Sequence, residues 1–155
     1  MTTHKKSVNN LVFELQERAK ELNCLYTIED TLNRSEVTMH QAFNAVINAI
    51  VPAFQYPGLC RIRLKYGEVL FQNMDFEETK WFISSPILVQ DKEVGSIIVY
   101  YSEETPLGDV GPFLKEEVKL LKTITDRLGH FILHQRLKSI FNDMDLVKKS
   151  ASKSP

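Results

Sequence analysis

Cysteine, glycine and proline are scarce in this chain, at two, six and six of 155 residues. Cys24 falls within a helical pattern and Cys60 opens an alternating one, so the pair offers neither a disulfide framework nor a zinc knuckle. Six glycines leave little room for a glycine-rich phosphate cradle. Neither sign of charge is in excess: 19 Lys and Arg face 20 Asp and Glu, for a net charge of −1. That balance excludes a generally basic nucleic-acid binder and an acidic solvating tail. No run approaches the ~18 apolar residues of a membrane span. The opening Met1-Thr2-Thr3-His4-Lys5-Lys6 also lacks the apolar stretch that a secretory signal needs behind it. These absences point to a cytoplasmic protein with reduced thiols and with neither a membrane nor a nucleic-acid partner. Apolar surface, by contrast, is ample: 43% of residues are hydrophobic, with nine Phe, five Tyr and one Trp. A disordered chain is thereby excluded, and the length suits one domain with its own core.

From residue 8 to about residue 32 the chain reads as one long helix. Leu11, Leu15, Leu22, Leu25 and Leu32 recur at spacings near three, four and seven, uninterrupted by Gly or Pro, and Ser7 is placed to cap it. A second helix follows Ser35, with Met39, Ala42, Phe43, Val46, Ala49 and Ile50 on one face and Pro52 as its stop. The period then changes to two. Cys60, Ile62 and Leu64 alternate with Arg61, Arg63 and Lys65, the pattern of a strand buried on one side. Tyr66-Gly67-Glu68 reads as a turn into a short return strand at 69–71, and residues 72–81 as an irregular connection. Residues 83–89 and 94–101 form a hairpin across Gln90-Asp91-Lys92-Glu93, and the doubly apolar run at 97–101 predicts a central strand. Gly108, Gly111 and Pro112 lead to a third helix over about 113–145, roughly 50 Å long. On it Leu114, Val118, Leu121, Leu128 and Ile132 form a seam, and Leu120, Ile124, Phe131 and Leu137 a neighbouring strip. Two strips imply two partners: its own sheet, and either the first helix or a second subunit. Residues 1–7 are expected to be a flexible N-terminus, 8–145 a single domain and 146–155 a disordered tail.

Helix, helix, antiparallel sheet, long helix is the order of a GAF domain, and specific strings resemble that family. Glu17-Arg18-Ala19-Lys20-Glu21-Leu22-Asn23-Cys24-Leu25-Tyr26 resembles the opening helix of GAF-type sensor modules ahead of bacterial histidine kinases and phosphoenolpyruvate-synthase-like (pyruvate phosphate dikinase type) enzymes. Phe54-Gln55-Tyr56-Pro57, Phe76-Glu77-Glu78-Thr79-Lys80-Trp81 and Gly111-Pro112-Phe113-Leu114-Lys115-Glu116-Glu117 are similar to the same group. So is Arg127-Leu128-Gly129-His130-Phe131-Ile132-Leu133-His134-Gln135-Arg136, and together the strings span about residues 11–137. The resemblance implies an α/β (α+β) fold with an antiparallel sheet of six strands or fewer. It places the long first and last helices on one face and a small-molecule pocket on the other. It also implies a homodimer joined and coupled through those helices, with Leu11, Leu15 and Leu22 on the first and Leu121, Leu128 and Ile132 on the last as candidate seam. A kinase or phosphoenolpyruvate-synthase-like effector is the implied partner. The short 72–81 connection implies a shallow or open pocket. Asn73-Met74-Asp75-Phe76-Glu77-Glu78 lacks the lysine and spacing of the cyclic-nucleotide signature. Cys60, followed by Arg61 rather than His, reads as a small buried residue, and two cysteines are too few for the family's methionine-sulfoxide reductases.

If Ile62 and Leu64 face the helices, Arg61, Arg63 and Lys65 face the side where the family's ligands sit. Guanidinium groups there can bind a small anionic ligand, a carboxylate or phosphate, in bidentate fashion. Trp81 is placed to close over such a ligand and Tyr100 to line its floor. The plainer alternative is a solvated sheet face answered by Glu68, Glu93 and Glu103 on neighbouring strands. Charge is uneven along the chain, with five bases against nine acids in 51–112 and nine against five in 113–155; the basic end suits a helix C-terminus. His130 and His134 stand four apart on one helical face, as metal ligands can, but without the further ligands zinc takes they read as surface or interface histidines. With no G-x-S-x-G elbow, P-loop or distinctive carboxylate pair, no catalytic or metal-binding residue and no cofactor is assigned, and the chain is expected not to be an enzyme. The expectation is a non-catalytic sensory or regulatory domain acting as a homodimer. The alternative is a dimerisation or docking adaptor without a metabolite ligand.

Overall fold

The computed structural model describes residues 2–152, with side chains from 7 to 147. The elements are α1 (Thr2–Leu32), α2 (Met39–Ile50), β1 (Cys60–Tyr66), β2 (Val69–Gln72), β3 (Phe82–Val89), β4 (Lys92–Tyr101) and α3 (Lys115–Ser152), with 3-10 turns at Val51–Ala53 and Pro57–Leu59. The class is α+β. Its four strands pair antiparallel in the order β2-β1-β4-β3, which makes β4 a central strand as its doubly apolar sequence predicts.

Local chemistry explains most boundaries. Thr38 and Gln41 form a reciprocal capping box at the start of α2, with bonds of 3.1 and 3.0 Å. Gly67, at φ +58°, closes the β1–β2 turn. The second hairpin is tighter than expected: Gln90 and Asp91 both take positive φ, and Lys92 already pairs with Val89, so the loop has two residues rather than four. Helix α1 begins at Thr2 rather than at residue 8, and Ser7 lies inside it instead of capping it. Helix α3 starts at Lys115 rather than Phe113, because Phe113 is buried, stacked on Tyr101 at 4.7 Å between ring centres, and bridged to Val110. It runs on to Ser152, through most of the stretch expected to be a tail; residues 153–155 lie outside the described part.

One face of the sheet carries the core. Ile62, Leu64, Ile87, Ile97 and Val99 meet Phe43, Val46 and Ile47 of α2 and Leu121, Ile124, Leu128 and Ile132 of α3, all essentially buried. Ser85 and Thr125 hydrogen-bond at 2.7 Å inside that interface. Gly129 is buried where α3 crosses β3, and a Cβ there would overlap the Leu88 carbonyl oxygen. The buried Glu117 accepts from the backbone amides of Leu114 and Gln55, both at 2.8 Å, capping α3 while tying it to the turn before β1. Burial pushes its carboxyl above the usual range, against the lowering effect of those two amides.

Helices α1 and α3 run in the same direction. Residues 10–21 border 114–116, Glu29 receives both Nε and Nη2 of Arg127, and Lys138 donates to the Ser35 carbonyl at 3.1 Å. The beginning of α1, before residue 10, therefore extends past the start of α3, and the last part of α3 extends past the end of α1.

Candidate functional site

Alternation along β1 does turn Arg61, Arg63 and Lys65 away from the helices, since Cys60, Ile62 and Leu64 are wholly buried on the opposite side. In register with them on β4 stand Tyr100, Ile98 and Ser96, and Phe82 of β3 pairs with Tyr100. The 72–81 connection lies over this outer face. Its first anchor is Asn73, whose side chain accepts from the Ile62 amide at 2.9 Å and donates to the Cys60 carbonyl at 3.1 Å, extending the ladder beyond β2.

Arg63 is the centre of the arrangement. Its guanidinium lies 4.7 Å from the Phe76 ring centre and 5.8 Å from that of Tyr100, with Nη1 on Glu78 at 2.5 Å. The guanidinium thus caps a pair of touching aromatic rings, 5.3 Å between centres, and is closed off by an ion pair. Tyr100 is buried beneath Phe76 and Phe82, at 5.3 and 5.6 Å between ring centres, which raises its phenol pKa through desolvation first and the Glu78 charge second. Glu78, not Glu68, Glu93 or Glu103, is the carboxylate that answers this face. Arg61 is occupied locally, donating to the Gly58 and Cys60 carbonyls at 3.0 and 3.2 Å, and Lys65 is exposed.

Of the five residues expected to line a ligand site, the structure joins Arg63 and Tyr100. It does not bring Trp81 over them. Trp81 packs against the helix-side core and its carbonyl accepts from the Tyr101 amide at 2.9 Å. Phe76, Glu78 and Phe82 complete the cluster instead: pairing of β3 with β4 places Phe82, and only the folded connection brings Phe76 and Glu78 there. A small anion at Arg63 would have to displace Glu78, whose side chain is 64% exposed and free to swing away.

The expected helix seam divides in two. Leu11, Leu15 and Leu22 of α1 are 55, 60 and 54% exposed and unpartnered, whereas Leu121, Leu128 and Ile132 of α3 are buried in the domain's own core. The apolar positions α3 leaves open lie further on, at Leu137, Ile140, Met144 and Val147, spaced by three and four residues. Both cysteines are free and buried, with thiols pushed up to about 12 by desolvation. Among the described residues no cluster of three His, Cys, Asp or Glu is positioned to hold a metal, and no helix is long and apolar enough to cross a membrane. No protein-family model, curated protein or solved structure matches the chain.

Proposed function

We propose that the chain is a non-catalytic regulatory domain of GAF type that works as a homodimer through its terminal helices. The observation carrying this reading is a pair of exposed apolar strips, Leu11, Leu15 and Leu22 on α1 and Leu137, Ile140, Met144 and Val147 on the projecting end of α3. Heptad-like spacing on an exposed helix face is what a partner helix packs against. Because the α1 and α3 strips lie toward opposite ends of the parallel pair, a change in α3 packing can be passed along the chain to an effector such as a kinase or a phosphoenolpyruvate-synthase-like enzyme. In the sensory version a small anion on the outer sheet face releases Glu78 from Arg63 and frees the 72–81 connection.

The adaptor reading, dimerisation or docking without a metabolite, is favoured by one observation: Arg63 already has its carboxylate and its aromatic platform. Analytical ultracentrifugation tests the shared part. The wild-type protein should sediment as a dimer, and Leu15→Glu with Ile140→Glu as a monomer of unchanged helicity; a monomeric wild type defeats the proposal. Native mass spectrometry of the gently purified protein then separates the two versions. Retained small-molecule mass that Arg63→Ala abolishes supports the sensor, and a ligand-free dimer supports the adaptor.

A further inference from the structure

On the helix side of the domain, far from Arg63 in the fold, a cleft of about 430 Å³ opens between the end of α1 and the middle of α3. Half of its lining is basic, namely Arg34, Arg127, His130, His134 and Lys138, and among the described residues no carboxylate lines it. That is anomalous for a chain with 20 acids and 19 bases. The concavity at the other end of α1, by contrast, sets Glu14, Glu17, Glu21, Asp109 and Glu116 against only Arg18 and Lys115.

The cations are arranged rather than scattered. His130, His134 and Lys138 recur every four residues, so they form one strip along α3, with roughly 6 Å of rise between neighbours. Arg34 faces the strip from the α1–α2 connection. Arg127 turns its Nε and Nη2 to Glu29, which neutralises it, and serves as a wall. Arg34 uses one nitrogen on Asp30 at 3.2 Å, which leaves donors of its planar fork unspent. Lys138 spends one of its three donors on the Ser35 carbonyl, which holds its ammonium at the rim. Both histidines are exposed into the cleft, and among the described residues no protein acceptor engages them.

We infer that this cleft is a binding site for the phosphate group of a small phosphate monoester. A tetrahedral dianion offers acceptors in several directions, which suits a guanidinium fork, an ammonium and two imidazole N–H groups converging from two elements. The volume is within the range of small-ligand sites and exceeds what a bare phosphate fills, so it leaves room for an ester substituent. This inference stands independently of dimerisation and of the outer sheet face.

The test is a titration of the full chain with inorganic phosphate and with phenyl phosphate at constant ionic strength, read by calorimetry and by the imidazole NMR signals of His130 and His134. Both anions should shift both histidines saturably, and phenyl phosphate should bind several-fold tighter. Phosphate binding as tightly as its ester would identify the free anion as the ligand and overturn the monoester assignment. The conservative surface variants His134→Gln and Lys138→Gln should each weaken binding about tenfold, while Lys115→Gln, which removes the same charge at the far end of α3, should leave it unchanged. Absence of a saturable histidine shift at tens of millimolar phosphate, or equal weakening by Lys115→Gln, overturns the site.

Discussion

The polar tie between β3 and α3 gives the sharpest quantitative expectation. Thr125 is 1% exposed and donates to the Lys122 carbonyl at 3.0 Å, so the hydroxyl it meets at 2.7 Å, that of the 8% exposed Ser85, must be the donor between them. Thr125→Val keeps the shape but strands the Ser85 O–H in an apolar interface, at a cost of about 1–3 kcal/mol. Ser85→Ala removes a donor yet leaves Thr125 its bond to Lys122, so it costs only about 1 kcal/mol. The double variant removes both hydroxyls and should lose no more than about 1 kcal/mol, since two apolar groups now face each other. The single losses together exceed the double by roughly 1–3 kcal/mol, a coupling readable in a double-mutant cycle. Urea unfolding followed by circular dichroism at fixed protein concentration measures it, because an m-value of about 2 kcal/mol/M turns a 2 kcal/mol loss into a midpoint shift near 1 M. Additivity within about 0.5 kcal/mol would refute the reasoning and mean that the two hydroxyls do not share a bond.

Glu117 carries a pH signature of the opposite sign to a salt-bridged carboxylate. Its folded pKa is raised, so the native state binds more protons than the unfolded chain, and stability falls as pH climbs from the ordinary carboxylate value of about 4.3 through the raised one. Thermal melts across that window should show the decline in the wild type and a flatter profile in Glu117→Gln; identical slopes would count against it. At Gly129, helix propensity alone favours alanine by about 1 kcal/mol, but the added methyl meets the Leu88 backbone. Overpacking of this kind costs about 1–3 kcal/mol or more. Gly129→Ala should therefore lower the melting temperature by several degrees, and an unchanged or higher value would show that α3 has room to lift.

What could be read from the sequence is what depends on local period. The one-sided strand at 60–66, the hairpin that follows and the apolar face of α2 all lie where period two or the helical period predicts, because one face of each meets one core; the Thr38–Gln41 cap of α2 is a feature the structure adds. The helix seams were less legible, for a physical reason. On α1 Leu11, Leu15 and Leu22 mark the open face, Leu25 packs partly on the core, and the buried line is the offset repeat Cys24, Ile28 and Leu32, confined to the last third. On α3 Leu121, Leu128 and Ile132 look like a partner seam, but periodicity cannot tell a sheet from a second helix. The outward placement of Arg61, Arg63 and Lys65 was legible for the same reason as the strand. The ion pair was not: Glu78 stands fifteen residues from Arg63 and reaches it only through an irregular connection. Trp81 was misassigned by parity, because it precedes Phe82 by one residue and so falls to the opposite side of the sheet.

The close approach at Gly129 restricts how α3 can move. Advancing the helix by one residue, about 1.5 Å with a turn of roughly 100°, would bring the Leu128 or His130 side chain against the Leu88 carbonyl, where not even a methyl group fits. A piston stroke along the sheet is thus blocked by a single backbone oxygen. Tilting about that contact keeps it intact, so with Gly129 as the fulcrum a displacement at the start of α3 would return as an opposite displacement of similar size at Ile140, Met144 and Val147, because the two arms of the helix are of similar length.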